Sequence, residues 1–389
     1  MFSNQVAEVA LSAPAKCLEA VRADKLESRF IVGSCSLHDA NELTVIRFHS
    51  ELNELGVDAT LDHPSGPVGV LCTNPTDKYL LLSAAEENPT VNLWRVPEEV
   101  MDMTEELDYN PEGGETVAAP TDSHSLELVT TLPHDPDSHI VDIAWRDTSL
   151  DFDDDSAVAG EVLTMDRAGQ ITQWDITTAQ SVRSETIRDE NQITPPNLSW
   201  DPHHSYAVAV TAGSSVHILD WRADTSIPTG TCASFVAHRY GVTSVDFNPN
   251  KPHVVATAGQ DGLLKFWDLR NAKRPLLTGR GGHSHYAWQV KYNPFHDQLV
   301  VSTGTDSVVN LWRVSTISSA PLLTLGNNNE EAGSETSAPN VRVSRFEHGD
   351  SVYGMAWGAA DAWIYATVGY DGKVVLNHVP SKEKYKILL

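Results

Sequence analysis

No apolar run in this chain of 389 residues approaches the ~20 residues that cross a bilayer as a helix. Direct insertion into a membrane is therefore not expected. Cysteine is scarce: Cys17, Cys35, Cys72 and Cys232 stand far apart with no CxxC spacing, so neither a disulfide framework nor a zinc knuckle is indicated. They are read as reduced thiols. Positive charge is short, with 27 Lys and Arg against 53 Asp and Glu, a formal net charge of -26 that repels phosphate backbones and anionic headgroups. Nucleic acid is not an expected partner; basic surfaces would be attracted. The N-terminal "MFSNQVAEVALSAPAKC" lacks a basic region and has Glu8 inside its apolar run, which argues against a secretory signal and for a cytoplasmic chain. The sequon at Asn197 is discounted on the same ground.

What the chain has is repetition. Hydrophobic residues at 41% suffice for a sizeable core, and the length allows either two average domains or one large all-β domain. The stretch "LLKFWDLR" at Leu263 has counterparts in "TVNLWRV" at Thr90, "QITQWDI" at Gln170, "SVHILDWR" at Ser215 and "VVNLWRV" at Val308, with weaker ones in "LTVIRF" at Leu43 and "KVVLNHV" at Lys373. The marker column Ile46, Trp94, Trp174, Leu219, Trp267, Trp312 and Asn377 advances by 48, 80, 45, 48, 45 and 65 residues. A period of 40 to 45 residues ending in Trp-Asp is the signature of propeller blades. Two alternating segments and a Gly/Asp turn precede each marker strand, giving a four-stranded meander that cannot cover both its faces alone. The expectation is one all-β domain over 1–389, a seven-bladed WD40 β-propeller. Its blade cores fall near 15–48, 68–96, 140–176, 196–221, 242–270, 286–314 and 352–379. Ring closure has two candidates: the terminal "KYKILL" as outer strand of the last blade, or Gln5–Leu11 pairing there from the other end.

The polar residues of the repeat are given structural duties. Asp261 and Gly262 make the turn before the Trp267 strand, and His238 is placed to pair with Asp261 and Ser244 in a buried network. His348 with Asp371, and His283 or His285 with Asp306, take the same reading. No phosphate-loop, HExxH, GxSxG or dinucleotide signature is present, so no enzyme chemistry and no cofactor is expected. "GRGGHSHY" at Gly279 precedes a strand, not a helix, and is read as an inter-blade loop; "DPHHS" at Asp201 lacks the geometry of a metal site. Residues 97–125 and 315–341, rich in acid, Pro, Gly and Ser, read as disordered insertions. With "LDFDDDS" at Leu150 they leave from one face of the disc, so partners are expected on the other. Candidate partner-binding residues are Tyr240, Arg280, Tyr286, Tyr370 and Arg270.

Beyond this punctuation, Glu347–Leu389 through "KYKILL", together with "SRFIVGSCSL" and "FWDLR", resembles the EARP and GARP complex-interacting protein family over essentially the whole chain. The resemblance implies a non-catalytic adaptor that binds subunits of multisubunit vesicle-tethering complexes of the EARP and GARP type. It would be a monomeric propeller within a larger complex, cytoplasmic and peripherally associated with endosomes and the trans-Golgi network, supporting endosomal recycling, endosome-to-Golgi transport and cargo sorting. The chain departs from the family in the length and acidity of its insertions and in its N-terminus. Two other readings stand beside it. "WDLR" fits the WDxR pattern of substrate receptors that dock on cullin-RING ubiquitin ligases through a residue placed like Arg270, and the acidity suits a histone-binding propeller, although Pro14 interrupts the N-terminal helix such proteins carry.

Overall fold

In a computed structural model, the described residues are 6–86, 88–102, 124–147, 161–187, 194–204, 206–221, 231–321 and 340–388. They form a seven-bladed propeller. The first strand, β1 (Ala7–Ala10), is followed by blade 1: β2 (Ala15–Ala20), β3 (Arg29–Ser34), β4 (Glu42–His49) and β5 (Glu54–Asp62). Blade 2 has β6 (Val68–Thr73), β7 (Leu80–Ala85) and β8 (Thr90–Arg95); then comes the short β9 (His124–Ser125), and β10 (Glu127–Pro133) completes the blade. Blade 3 has β11 (Ile140–Trp145), β12 (Glu161–Asp166), β13 (Gln170–Asp175) and β14 (Gln180–Thr186). Blade 4 has β15 (Leu198–Trp200), β16 (Ala207–Ala212), β17 (Ser215–Asp220) and β18 (Thr231–Val236). Blade 5 has β19 (Val242–Phe247), β20 (Val254–Gly259), β21 (Leu264–Asp268) and β22 (Leu277–Gly279). Blade 6 has β23 (Ala287–Tyr292), β24 (Leu299–Gly304), β25 (Val308–Val314) and β26 (Asn340–Glu347). Blade 7 has β27 (Val352–Trp357), β28 (Ile364–Gly369) and β29 (Lys373–His378).

Sequence pattern and position agree strand by strand. Each second strand is covered on both faces by its neighbours and reads as a continuous apolar or small-residue run: "LVVSTG" in β24 and "IYATVG" in β28 are buried throughout. The outer strands face water, as the polar "QSVRSET" of β14 shows. Seven hydrophobic clusters fill the seven gaps between adjacent blades. Phe30 and Ile364, for example, meet between blades 1 and 7, and Phe266 and Val290 between blades 5 and 6. The core is thus seven wedges, and each blade buries its faces only because it has two neighbours.

The ring closes from the N-terminus. β1 pairs antiparallel with β29, from Ala7 opposite Leu376 to Ala10 opposite Lys373, and supplies the fourth strand of blade 7. "KYKILL" is not that strand: it lies in the helix α2 (Ser381–Leu388). The run ends in Lys and large aliphatics, good helix formers, and Pro380 just before it suits a helix start. Glu383 turns inward to pair with the buried Arg313, and Ile387 packs on the cluster between blades 6 and 7.

Both ends of each long interval belong to the propeller. Glu98–Met101 form a helical turn that buries Val100 and Met101, and Asp102 accepts hydrogen bonds from Lys78 and Tyr79. At the other end, β9 pairs parallel with β5 of the preceding blade. After β25, Ser315–Ile317 form a 3-10 turn with Ser315 and Ile317 buried. Residues 103–123, 148–160 and 322–339, where the remaining insertion expectations fall, lie outside the described residues. No described helix is long and apolar enough to cross a membrane.

Candidate functional site

With the four strands of each blade lettered a to d from the axis outward, the residues singled out in the repeat lie at the blade ends that carry the b-to-c turns. In blade 5, Asp261 Oδ1 accepts from His238 Nδ1 at 2.7 Å; His238 Nε2 lies 2.8 Å from Thr257 Oγ1; and Trp267 Nε1 donates to the same oxygen at 3.0 Å. Burial lowers the pKa of His238, so the ring is neutral. With Nδ1 donating to the carboxylate, Nε2 must accept, the Thr257 hydroxyl gives its proton there, and its lone pair is left for Trp267. Burial would raise Asp261, but the hydrogen bond from His238 and the charge of Lys265 hold it below the usual carboxylate value. Every donor is spent internally. Gly262 completes the turn at φ 69°, where a Cβ would come within 2.9 Å of the His285 carbonyl.

Ser244 is not part of this set. Its buried hydroxyl accepts instead from the Val290 N–H at 3.4 Å, linking the first strands of blades 5 and 6. The hydroxyl that joins His to Trp comes from the second strand, Thr257, which stands 10 residues before the Trp. The same placement recurs as Thr164 with Trp174 and Ser302 with Trp312, and at 11 residues as Ser83 with Trp94. That fixed offset is the signal that could have found it. In blade 6, His283 rather than His285 makes the pair, 3.0 Å from Asp306 Oδ1 and 2.8 Å from Ser302 Oγ. In blades 2 and 3, His63 and His134 reach Ser83 and Thr164, but their Nδ1 atoms point to the carbonyls of Gly66 and Leu132 instead of to an Asp.

Blade 7 departs further. His348 Nε2 is 2.9 Å from Thr367 Oγ1, Asn377 stands where a Trp would be, and the buried Nδ1 makes no hydrogen bond among the described residues. The expected bond to Asp371 is not made. The Asp371 carboxylate accepts from the Lys373 N–H instead, and acts on His348 only through its charge. Blade 1 has no His–Trp set, and a buried ion network holds the other end of the blade, away from the β3–β4 turn. Arg29 reaches Asp24 at 2.5 Å and Asp58 at 3.2 Å, and Arg47 reaches Asp58 at 3.0 Å. Arg29 and Arg47 are directly opposite in the ladder, so Asp58 neutralises a like-charge pair that sheet register forces together.

The candidate partner residues divide between the two faces. Tyr240, Arg280 and Tyr286 sit in connections between successive blades and Tyr370 in a b-to-c turn, all at the same face. Tyr240 is 59% exposed beneath the Arg239 guanidinium, and Tyr286 stacks on His285. Arg270 lies on the other face, after β21, where the Asp268 carboxylate takes its Nε and Nη2 and caps the following 3-10 turn. The side chain is 67% exposed. Among the described residues no group of three His, Cys, Asp or Glu side chains could hold a metal ion.

Buried networks spent on strand ends, around a channel, define a WD-repeat-type propeller. Comparison with known proteins narrows this. A family profile, the EIPR1 β-propeller, matches residues 177–312. The chain is 30% identical over 381 residues to the human EARP and GARP complex-interacting protein 1, covering 93% of each chain. It is 26% identical over 388 residues to EARP-interacting protein 1 of Caenorhabditis elegans, with 96% of each covered. It is 28% identical over 379 residues to the WD repeat-containing protein DWA2 of Arabidopsis thaliana, with 94% of each covered. The chain belongs to the EARP and GARP complex-interacting protein family.

Proposed function

We propose that this chain is a non-catalytic adaptor that binds subunits of EARP- and GARP-type tethering complexes. In this reading it works as a single propeller within a larger assembly, held from the cytoplasm on endosomes and the trans-Golgi network, and supports recycling, retrograde transport and cargo sorting. The observation that carries it is the end-to-end similarity to relatives whose names state that interaction. The chemistry of the blades supports the non-catalytic half, because the His, Asp and Trp side chains of the repeat are consumed in holding strands together. Residues 103–123 and 322–339 remain, in this reading, insertions dispensable for the ring.

Affinity purification of the tagged full chain followed by mass spectrometry tests the proposal, since tether subunits, a ligase adaptor and histones are distinguishable preys. Enrichment of tether subunits is expected, and Arg270→Ala should leave it unchanged with an unaltered melt, since an exposed, solvent-screened ion pair contributes little to folding. Capture of a cullin-RING adaptor that is lost in Arg270→Ala would replace this reading with the ligase one. Histones without tether subunits would replace it with the third.

A further inference from the structure

The first strands of the blades share a defect that re-aims one side chain each. In six of the seven, the register slips around the second residue of the strand: Lys16, Gly69, Val141, Thr243, Trp288 and Tyr353 have no cross-strand partner. A bulge turns its extra residue out of the ladder, and all six line a cavity of about 910 Å³ along the propeller axis. The six are chemically lopsided. Gly, Val and Thr leave one side of the rim low, whereas Trp288, Tyr353 and Lys16 build it up on blades 6, 7 and 1. Trp288 and Tyr353 meet edge to face at 5.1 Å, and Tyr353 meets Tyr370 at 6.1 Å. Lys16 lies 5.7 Å from the Tyr370 ring centre while its ammonium pairs with Glu86 at 2.6 Å.

Behind this collar, among the cationic and acidic side chains of the lining, one group of three carboxylates outnumbers the two cations beside it. Glu19, Asp142 and Asp246 surround Lys291, with Arg22 beyond, and the Arg22 guanidinium already donates to Thr73. Burial would lower Lys291, but these three carboxylates outweigh it and raise it; burial in turn pushes Asp142 and Asp246 up to about 6, more than Lys291 offsets. Gln289, next to the bulged Trp288, has a buried Oε1 that accepts no hydrogen bond among the described residues. Aromatic faces, carboxylates and an idle acceptor are what a guanidinium satisfies: it stacks on rings and presents five donors. The charge of -26 on the chain favours the approach of such a group.

We propose that the channel mouth between blades 6, 7 and 1 takes an arginine side chain from an extended segment of a partner protein. This deepens the adaptor reading by assigning its contact point, and it rests on that reading. The full chain would be titrated by NMR with the blocked peptide Gly-Ser-Arg-Ser-Gly and with counterparts carrying Glu or Leu at the centre. Saturable binding of the arginine peptide alone is expected, weakened about tenfold by Trp288→Ala or Asp246→Asn and unchanged by the exposed Glu347→Gln. Asp246→Asn keeps an acceptor for the Tyr292 N–H that Asp246 now binds, so it tests the charge even if Trp288→Ala does not fold. Equal binding of the Glu or Leu peptide, no saturable binding, or arginine binding indifferent to the folded Asp246→Asn would overturn the proposal. Tether capture by the same variants separates the two claims: capture by wild type and Asp246→Asn alike removes this site but leaves the adaptor, whereas no capture by wild type removes the adaptor.

Discussion

Blades 5 and 6 and blades 7 and 1 occupy equivalent places in the ring but are held by different means. In blades 5 and 6 the second strand, the third strand and the lead-in loop are tied by a complete Asp–His–hydroxyl–Trp chain. In blade 7 the chain stops at His348 and Thr367, and blade 1 relies on a buried quartet of two Arg and two Asp at its other end. Blades 7 and 1 flank the seam, where β1 pairs along β29 and ties the N-terminal strand into the last blade. The seam is thus held by backbone pairing from a distant part of the chain, whereas blades 5 and 6 are held by local side-chain staples.

The strongest way to break this comparison is to remove the seam. Deleting residues 1–11 takes away the β1 ladder, the buried Ala7, and Val9 and Leu11 packed beside it. Four backbone pairs at ~1 kcal/mol each plus the apolar burial amount to a cost on the order of 5 kcal/mol. A large fall in Tm or loss of soluble protein is expected. Removing residues 381–389 should cost less, although it takes Glu383 from the buried Arg313, because the ring stays closed. If thermal melts showed the second deletion to be the more damaging, closure by β1 would not be what holds the seam.

The next contrast is between the two kinds of staple. Asp58→Ala leaves Arg29 and Arg47 buried, opposite one another and without their shared carboxylate, and should cost about 3 to 5 kcal/mol. Thr257→Val keeps the shape of blade 5 but leaves His238 Nε2 and the Trp267 N–H unpaired, for about 1 to 3 kcal/mol. Ser244→Ala removes one long bond and should fall below both. Denaturant melts of the three variants rank them; Ser244→Ala exceeding Thr257→Val would restore Ser244 to the network.

The sequence made one side of this comparison readable and hid the other. Trp94, Trp174, Trp267 and Trp312 are rare, large and periodic, so they placed the third strands and, through them, all seven blade cores; the core 242–270 corresponds to β19 to β21, Val242 to Asp268. Thr257 was overlooked because a Thr in an apolar run looks like any small strand residue, and Ser244 lay nearer to the His in sequence. Closure by β1 was one of two open alternatives, since four residues such as "AEVA" carry little pattern and "KYKILL" is apolar enough for a strand. The bulges leave no trace in an alternating pattern, so nothing in the sequence sets Trp288 and Tyr353 apart from other strand residues. Arg29 and Asp58, 29 residues apart, announce their pairing only when β3 and β5 flank β4.

The last contrast lies within the His sets and depends on pH. Burial pushes His348 down to about 4 from its ordinary 6.5, only partly offset by the charge of Asp371. The folded protein keeps the ring neutral while the unfolded chain takes up a proton below 6.5, so the stabilisation is fully present above that pH and is lost as pH falls from 6.5 towards 4. It amounts to no more than about 3 kcal/mol. Asp142 and Asp246 act in the opposite sense, because their folded pKa values of about 6 lie above the ordinary 3.8 and protonation below 6 favours the folded state. The slope of the wild type alone therefore mixes both. His348→Gln, whose amide oxygen can still accept from Thr367, removes only the first, so its stability relative to wild type should improve as pH is lowered from 7 to 4.5. Parallel melting curves across that range would mean that His348 is not held neutral by its burial, and that the incomplete network of blade 7 is open to water.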